Sequence, residues 1–167
     1  MFEAESLTLR EATPNDAVVI AEIYNASIRA CDSTMIEVPL TTADILHIMG
    51  EFTDREGYLL LERSGYVVGW GIIKQFGKGN VYRYAGETSV FLRRDEVRKG
   101  YGSKIKQVLI DRCKAYGYHH LVARIWASNT TSIEYNRNFG YELVGIQREI
   151  GYMNDQWRDV ALMQLVL

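Results

Sequence analysis

The run RRDEVRKGYGSKIKQVL, residues 93–109, gathers Arg93, Arg94, Arg98, Lys99 and Lys104 around Gly100 and Gly102. The two glycines stand between the β-like run ETSVFL and a helical pattern that begins near Tyr101. The first N–H groups of a helix have no partner inside it, and glycines beside them let a phosphate approach closely, so the loop reads as an anion site. Arg98 and Lys99 add charge that complements a diphosphate. The same residues also read as a glycine-rich turn with a solvated basic face, and two glycines alone do not separate the two readings. The spacing does exclude two familiar cradles. A mononucleotide P-loop needs four residues between its glycines and then Lys with Ser or Thr, and a dinucleotide fingerprint needs a third glycine where Ile105 stands. The expected ligand is phosphorylated but of another kind.

The elements that must position this loop are marked by periodicity and punctuation. Thr13-Pro14-Asn15-Asp16 offers an N-cap, a proline at the first helical position and an acid at the third, opening a helix with Ala17, Ile20, Ala21, Tyr24 and Ile28 on its apolar stripe. Thr41-Thr42-Ala43-Asp44 repeats the signal for a short helix carrying Ile45, Ile48, Met49 and Phe52. YLLLER and YVVGWGIIKQF flank a Ser64-Gly65 turn, and VYRYAGETSVFL follows the loop at 77–80, so the middle reads as an antiparallel meander. Ile105, Val108, Leu109, Arg112, Cys113 and Tyr116 mark a helix stopped by Gly117, and the β-rich run HLVARIW follows. A short helix over about 129–139, closed by Gly140, precedes two long strands, YELVGIQREIGYM and WRDVALMQLVL. The fold class is α/β (α+β), with a mixed, mostly antiparallel sheet flanked by helices.

The length of 167 residues suits a single domain over 1–167. A net charge of −2 gives no general reason to bind nucleic acid, which leaves a small charged metabolite as the expected partner. No apolar run reaches the ~20 residues of a membrane span and no basic-then-apolar leader opens the chain, so the expected setting is cytoplasmic, with no membrane partner. Cys31 and Cys113 are too few for a disulfide framework and read as small buried hydrophobes. They lack metal-ligand spacing, and His47, His119 and His120 show neither triad nor metal spacing, so no metal is expected.

The order of strand ETSVFL, loop RRDEVRKGYGS, helix, strand HLVARIW, Asn129, helix and Phe139-Gly140-Tyr141 resembles the GNAT superfamily of acyl-CoA N-acyltransferases. Within it the chain is most similar to the phosphinothricin and methionine sulfoximine acetyltransferase group, from LTLREATPNDA to WRDVALMQL, and most specifically over 83–141. The resemblance implies acetyl-CoA as cosubstrate, with its pyrophosphate on Arg98, Lys99, Gly100, Tyr101, Gly102 and Ser103. It implies that Val90, Phe91 and Leu92 pair with the pantetheine, and that Asn129 and Asn138 lie near the far end of the cofactor. Relatives of this type are commonly homodimers, which makes a homodimer the expected assembly.

An amine attacks a thioester only as the free base, so a group near the thioester must take its proton; a carboxylate with a raised pKa serves. Glu87, three residues before Val90, holds the place of the general base in the similar enzymes, and the Val90 amide is the candidate oxyanion donor. The acid position four residues before Gly140 is Asn136, which has no proton to give, while Tyr135 is a candidate acid about 100° away around the helix. Val97 replaces the Gln or Arg that the family usually carries at the head of the loop. Acceptor recognition is expected from CDSTMIEVPLT and from Arg83, whose guanidinium suits a substrate carboxylate or, equally, a solvent-facing strand. Trp157 follows the family pattern and is expected in the core. The leading expectation is acetyl transfer by direct attack of the primary amine of a small amino acid or analogue. Transfer to a protein or peptide amine, and a non-catalytic acyl-CoA-binding module, are the alternatives.

Overall fold

The first helix starts where Thr13 and Asp16 predict. A 3-10 turn at Pro14–Asp16 runs straight into α1, Ala17–Ala30, and Asp16 Oδ2 accepts the Thr13 amide at 2.7 Å. In this computed structural model, which describes residues 6–167, β1 (Leu7–Glu11) precedes α1, and α2 (Thr42–Gly50) follows behind a reciprocal Thr41–Asp44 cap. Strands β2 (Gly57–Arg63), β3 (Tyr66–Gln75) and β4 (Ala85–Leu92) form the expected antiparallel meander. Ser64 and Gly65, both at positive φ, make its first turn. Next come α3 (Tyr101–Ala115), β5 (His120–Trp126), α4 (Thr130–Arg137) and the hairpin of β6 (Glu142–Met153) and β7 (Gln156–Val166).

One boundary differs from expectation. The run from Val81 begins not as strand but as a 3-10 turn at Asn80–Tyr82, because Gly77 and Gly79 reverse the chain at φ 70° and 93° and Tyr82 packs edge-on to Phe76 at 5.9 Å. The strand starts only at Ala85.

The seven strands lie in the order β1-β2-β3-β4-β5-β7-β6, antiparallel throughout except for β4 beside β5. Ile20, Ile23 and Ile45 of α1 and α2 bury one face with Tyr58, Leu60 and Trp70. Ile105, Leu109 and Cys113 of α3, with Ile133 and Phe139 of the α4 region, cover the other, against Leu59, Leu61, Leu121 and Ala123. Helix α3 lies so close to β3 that a Cβ at Gly71 would stand 2.6 Å from both Ile105 Cγ2 and Leu109 Cδ1. Trp157 departs from expectation: it is 64 % exposed and stacks edge-on with Tyr152, because β7 pairs with β5 only from Val160 onward and Trp157 lies on the part of the hairpin beyond that pairing.

Arg10 ties β1, the start of α1 and β2 together, with Nη1 2.8 Å from Asp16 Oδ2 and Nη2 2.6 Å from Glu62 Oε1. The Arg10 hydrogen bonds, with those from Thr13, outweigh desolvation and hold the Asp16 carboxyl down at about 2. Because the folded value lies below the unfolded one of 3.8, the stabilisation is complete above about pH 4 and is lost as pH falls toward 2. Asp16→Asn is therefore expected to lower the unfolding free energy by about 1–2 kcal/mol at pH 7, with the gap from wild type closing below pH 4 in urea titrations at both pH values.

Candidate active site

Strands β4 and β5 pair only over Ala85–His120, Gly86–Leu121 and Glu87–Val122. Beyond that point β4 stays with β3 and β5 stays with β7, so the two strands part and leave a wedge open through the sheet. A cavity of about 110 Å³ occupies it, lined among others by Glu87, Val90, Lys106, Arg124, Tyr135 and Asn136. The bonds Phe76 N–H to Ala85 O and Arg93 N–H to Val68 O bracket the β3–β4 ladder. Antiparallel alternation between them turns the backbone groups of Thr88, Val90 and Leu92 into the wedge and those of Glu87, Ser89 and Phe91 toward β3. Val90 and Leu92 thus offer free peptide groups to an extended ligand. Phe91, expected to join them, is taken up by Trp70 in the ladder, and its ring packs against Trp70 and Tyr24.

Side chains alternate as well. Thr88 and Val90 face α3, whereas Glu87, Ser89 and Phe91 face the α1 side. Glu87 is not an isolated carboxylate: Arg124, on the parted stretch of β5, binds it bidentately, Nε to Oε1 at 3.0 Å and Nη2 to Oε2 at 2.9 Å. Arg124 also lines a second cavity of about 320 Å³ with Met35, Trp126, Ile150, Tyr152 and Met153. The sequence reading gave no role to Arg124, although a charged residue inside the apolar run HLVARIW was its signal. It also passed over Lys106, which helical spacing places with Gly102, Leu109 and Cys113 on the inward stripe of α3.

The glycine loop opens α3 as expected. Gly100 is the N-cap at φ 81°, a left-handed conformation that suits glycine, and Arg98 is left-handed too at φ 62°. The amides of Tyr101, Gly102 and Ser103 are first-turn donors without intrahelical acceptors. Of the five basic residues near the loop, Arg93, Arg94 and Lys99 pair with Glu22, Asp32 and Glu96. Arg98 and Lys104 are exposed and make no ion pair among the described residues, so the free charge for an anion comes from them and from the helix end. Glu96, only 3 % exposed, also takes Arg63 at 2.8 Å and so pins the loop to β2.

Tyr135 donates its hydroxyl to Gly102 O at 2.7 Å, and burial raises its pKa. The phenol thus braces α4 against the start of α3, with its proton already committed. Asn129 caps α4 through Ser132 N–H and lines the wedge. Asn138 is exposed and borders a separate hollow beside Gln107, Lys114 and Leu165, away from the wedge. Arg83 also lies outside the wedge lining; its Nη1 donates to Asn80 O at 3.0 Å and its guanidinium covers the Tyr84 ring. Asn136, 6 % exposed, donates Nδ2 to Ser132 O, and its buried Oδ1 has no partner.

The profile described as Acetyltransferase (GNAT) domain matches residues 9–162. The L-methionine sulfoximine/L-methionine sulfone acetyltransferase of Pseudomonas aeruginosa is 31 % identical over 165 residues, covering 97 % of this chain and 95 % of that protein. The phosphinothricin acetyltransferase of Sinorhizobium meliloti, solved in complex with AcCoA, superposes with a TM-score of 0.90 at 30 % identity, over 96 % of this chain and 88 % of that one. An N-acetyltransferase of Staphylococcus aureus gives a TM-score of 0.91 at 30 % identity, over 96 % and 98 %. Free peptide groups along one wall, first-turn amides at its mouth and an orphan acceptor inside are donors and acceptors suited to an extended amide-bearing diphosphate. Tyr135→Phe is expected to weaken coenzyme A binding several-fold in calorimetry, while the pH profile of turnover is expected to keep its shape, since the phenol proton is donated to Gly102 O.

Proposed function

Because the chain belongs to the GNAT acetyltransferase family, its cosubstrate is acetyl-CoA, and we propose that it acetylates the primary amine of a small α-amino acid or amino-acid analogue by direct attack. The observation that carries this reading is the Glu87–Arg124 pair. A carboxylate and a guanidinium side by side complement the ammonium and carboxylate of an α-amino acid, and Arg124 Nη1 is left free by the bidentate contact. The adjoining cavity, walled by Met35, Trp126, Ile150, Tyr152 and Met153, suits an apolar or sulfur-bearing acceptor side chain. The methionine sulfoximine and phosphinothricin enzymes, whose named substrates are amino-acid analogues, support the same class.

Bound acetyl-CoA supplies an activated thioester. Glu87, on the α1 side of the wedge, takes the proton of the attacking amine directly or through water. The Val90 amide, turned into the wedge, supports charge on the carbonyl oxygen. The free amides of Tyr101, Gly102 and Ser103, with Arg98 and Lys104 beside them, hold the diphosphate. We further propose that residues 1–167 act as one N-acetyltransferase domain and work as a homodimer. Val144, Ile146, Ile150, Tyr152 and Trp157, all exposed on the edge hairpin, support pairing there. Both cysteines are free, which suits the cytoplasm.

Acetyl-CoA-dependent thiol release with methionine sulfoximine, methionine sulfone, phosphinothricin, common amino acids, polyamines and short peptides tests this reading. Turnover is expected with the amino-acid analogues, and turnover with peptides alone would assign the site to protein acylation. In the same assay Glu87→Gln is expected to lower kcat about 100-fold with coenzyme A affinity unchanged. Arg124→Gln is expected to raise KM for amino acids at least tenfold, and to leave simple amines that carry no carboxylate less affected.

A further inference from the structure

Lys106 is 2 % exposed, in the middle of α3, and makes no ion pair among the described residues. Its Nζ donates to Thr88 Oγ1 at 3.0 Å and stands 4.4 Å from the centre of the Tyr141 ring. A buried ammonium without a carboxylate is costly, and a leucine or methionine would fill the same helix position without that cost. Lys106 lines the wedge cavity one residue from Glu87 along β4, through Thr88. It does so on the opposite face of the sheet: Thr88 points to α3, Glu87 to the α1 side. The groups that surround it are Thr88 on β4, Tyr141 beneath, Cys113 on its own helix, Tyr135 and Asn136 on α4, and the Glu87–Arg124 pair across the cavity. Burial pushes the Tyr141 phenol and the Cys113 thiol up to about 12, so both are neutral at working pH. The same burial pushes the Lys106 ammonium down to about 8, into the range of an ordinary thiol.

We propose that Lys106 is the acid that protonates the sulfur leaving with coenzyme A. The proposal rests on the reading of acetyl-CoA as cosubstrate. As the C–N bond forms and the C–S bond breaks, the amine loses its proton on the Glu87 side of the wedge, and one proton passes from Lys106 Nζ to the departing sulfur. Neutral Lys106 then recovers a proton from solvent and Glu87 releases one, so the cycle balances. The other two candidates on the cavity wall are excluded by their bonds: Tyr135 spends its hydroxyl on Gly102 O, and Asn136 has no acidic proton. An ammonium beside a nascent thiolate stabilises its charge before the proton moves, and near-equal pKa values of donor and acceptor make the transfer efficient.

The full chain and Lys106→Met are compared. Methionine fills the space and removes the buried charge, so the thermal midpoint of the variant is expected at or above that of wild type. Coenzyme A alone is bound to each, and thiolate absorbance is followed with pH. In wild type the bound thiol is expected to ionise about one pH unit below free coenzyme A, a tenfold larger thiolate fraction near neutrality, and in Lys106→Met it is expected to show no such shift. Turnover of the variant is expected to fall about 100-fold, and the decline of the wild-type rate above pH ~8 to disappear. An unshifted thiol in the wild-type complex, which needs no variant to observe, overturns the proposal, as does a variant with wild-type turnover and the same alkaline decline. Failure of wild type to bind coenzyme A overturns the cosubstrate reading and the proposal with it; binding with an unshifted thiol removes Lys106 alone.

Discussion

The site depends on the parting of two parallel strands. β4 and β5 share only three residue pairs, and everything that follows in the cleft exists because Thr88–Leu92 no longer face a neighbour on that side. A sheet whose strands stay paired has no free peptide groups in its interior; one whose strands part exposes a row of them, at a cost met only when another chain or ligand supplies the bonds. The wedge persists because each strand is held by its other partner. β4 is zipped to β3 along its full length, and β5 to β7. The opening passes through the sheet, so one side receives groups from α1 and β5 and the other from α3 and α4.

That division sorts the electrostatics. On the α1 side the charges are paired and partly solvated, as in the Glu87–Arg124 fork. On the α3 side burial dominates, raising the values of Tyr135, Tyr141 and Cys113 and lowering that of Lys106. Two carriers of protons, a carboxylate and an ammonium, thus meet the same cavity from environments of opposite character. The loop at its mouth is fixed by a third arrangement. Buried Glu96 accepts both Arg63 and Lys99, which holds the chain in its left-handed turns at Arg98 and Gly100 and leaves the first amides of α3 pointing outward.

Where the physics is local, the signals along the chain match the structure. The Thr13 and Thr41 caps, the Ser64-Gly65 turn, the stop at Gly117 and the glycine that opens α3 each depend on residues within a few positions of one another, and each appears in place. Phe91 and Trp157 depart from expectation through distant partners, Arg83 through the local turn at Asn80–Tyr82. Phe91 lines the wedge, yet its peptide groups belong to the β3 ladder, because register, not residue type, decides which peptide groups turn outward. Arg83 sits outside the cleft because the chain enters β4 through a 3-10 turn that keeps its guanidinium over Tyr84. Trp157 is exposed because β5 ends opposite Val160, so this part of β7 pairs with β6 alone.

The sequence by itself determined the alternation of elements, the mixed sheet and the glycine loop before a helix, while the place of Glu87 beside that loop is what the family resemblance implies. The first three follow from periodicity, capping and the chemistry of single residues, all of which act over short separations. Only the tertiary structure decided that Arg124, 37 residues away in the chain, grips Glu87, that Tyr135 spends its proton on Gly102, and that Lys106 ends in a buried cavity without a counter-charge. The reason is physical: a charge or a proton takes its character from the dielectric and the partners around it, and those are assembled by strand pairing and helix packing between segments that no local pattern connects.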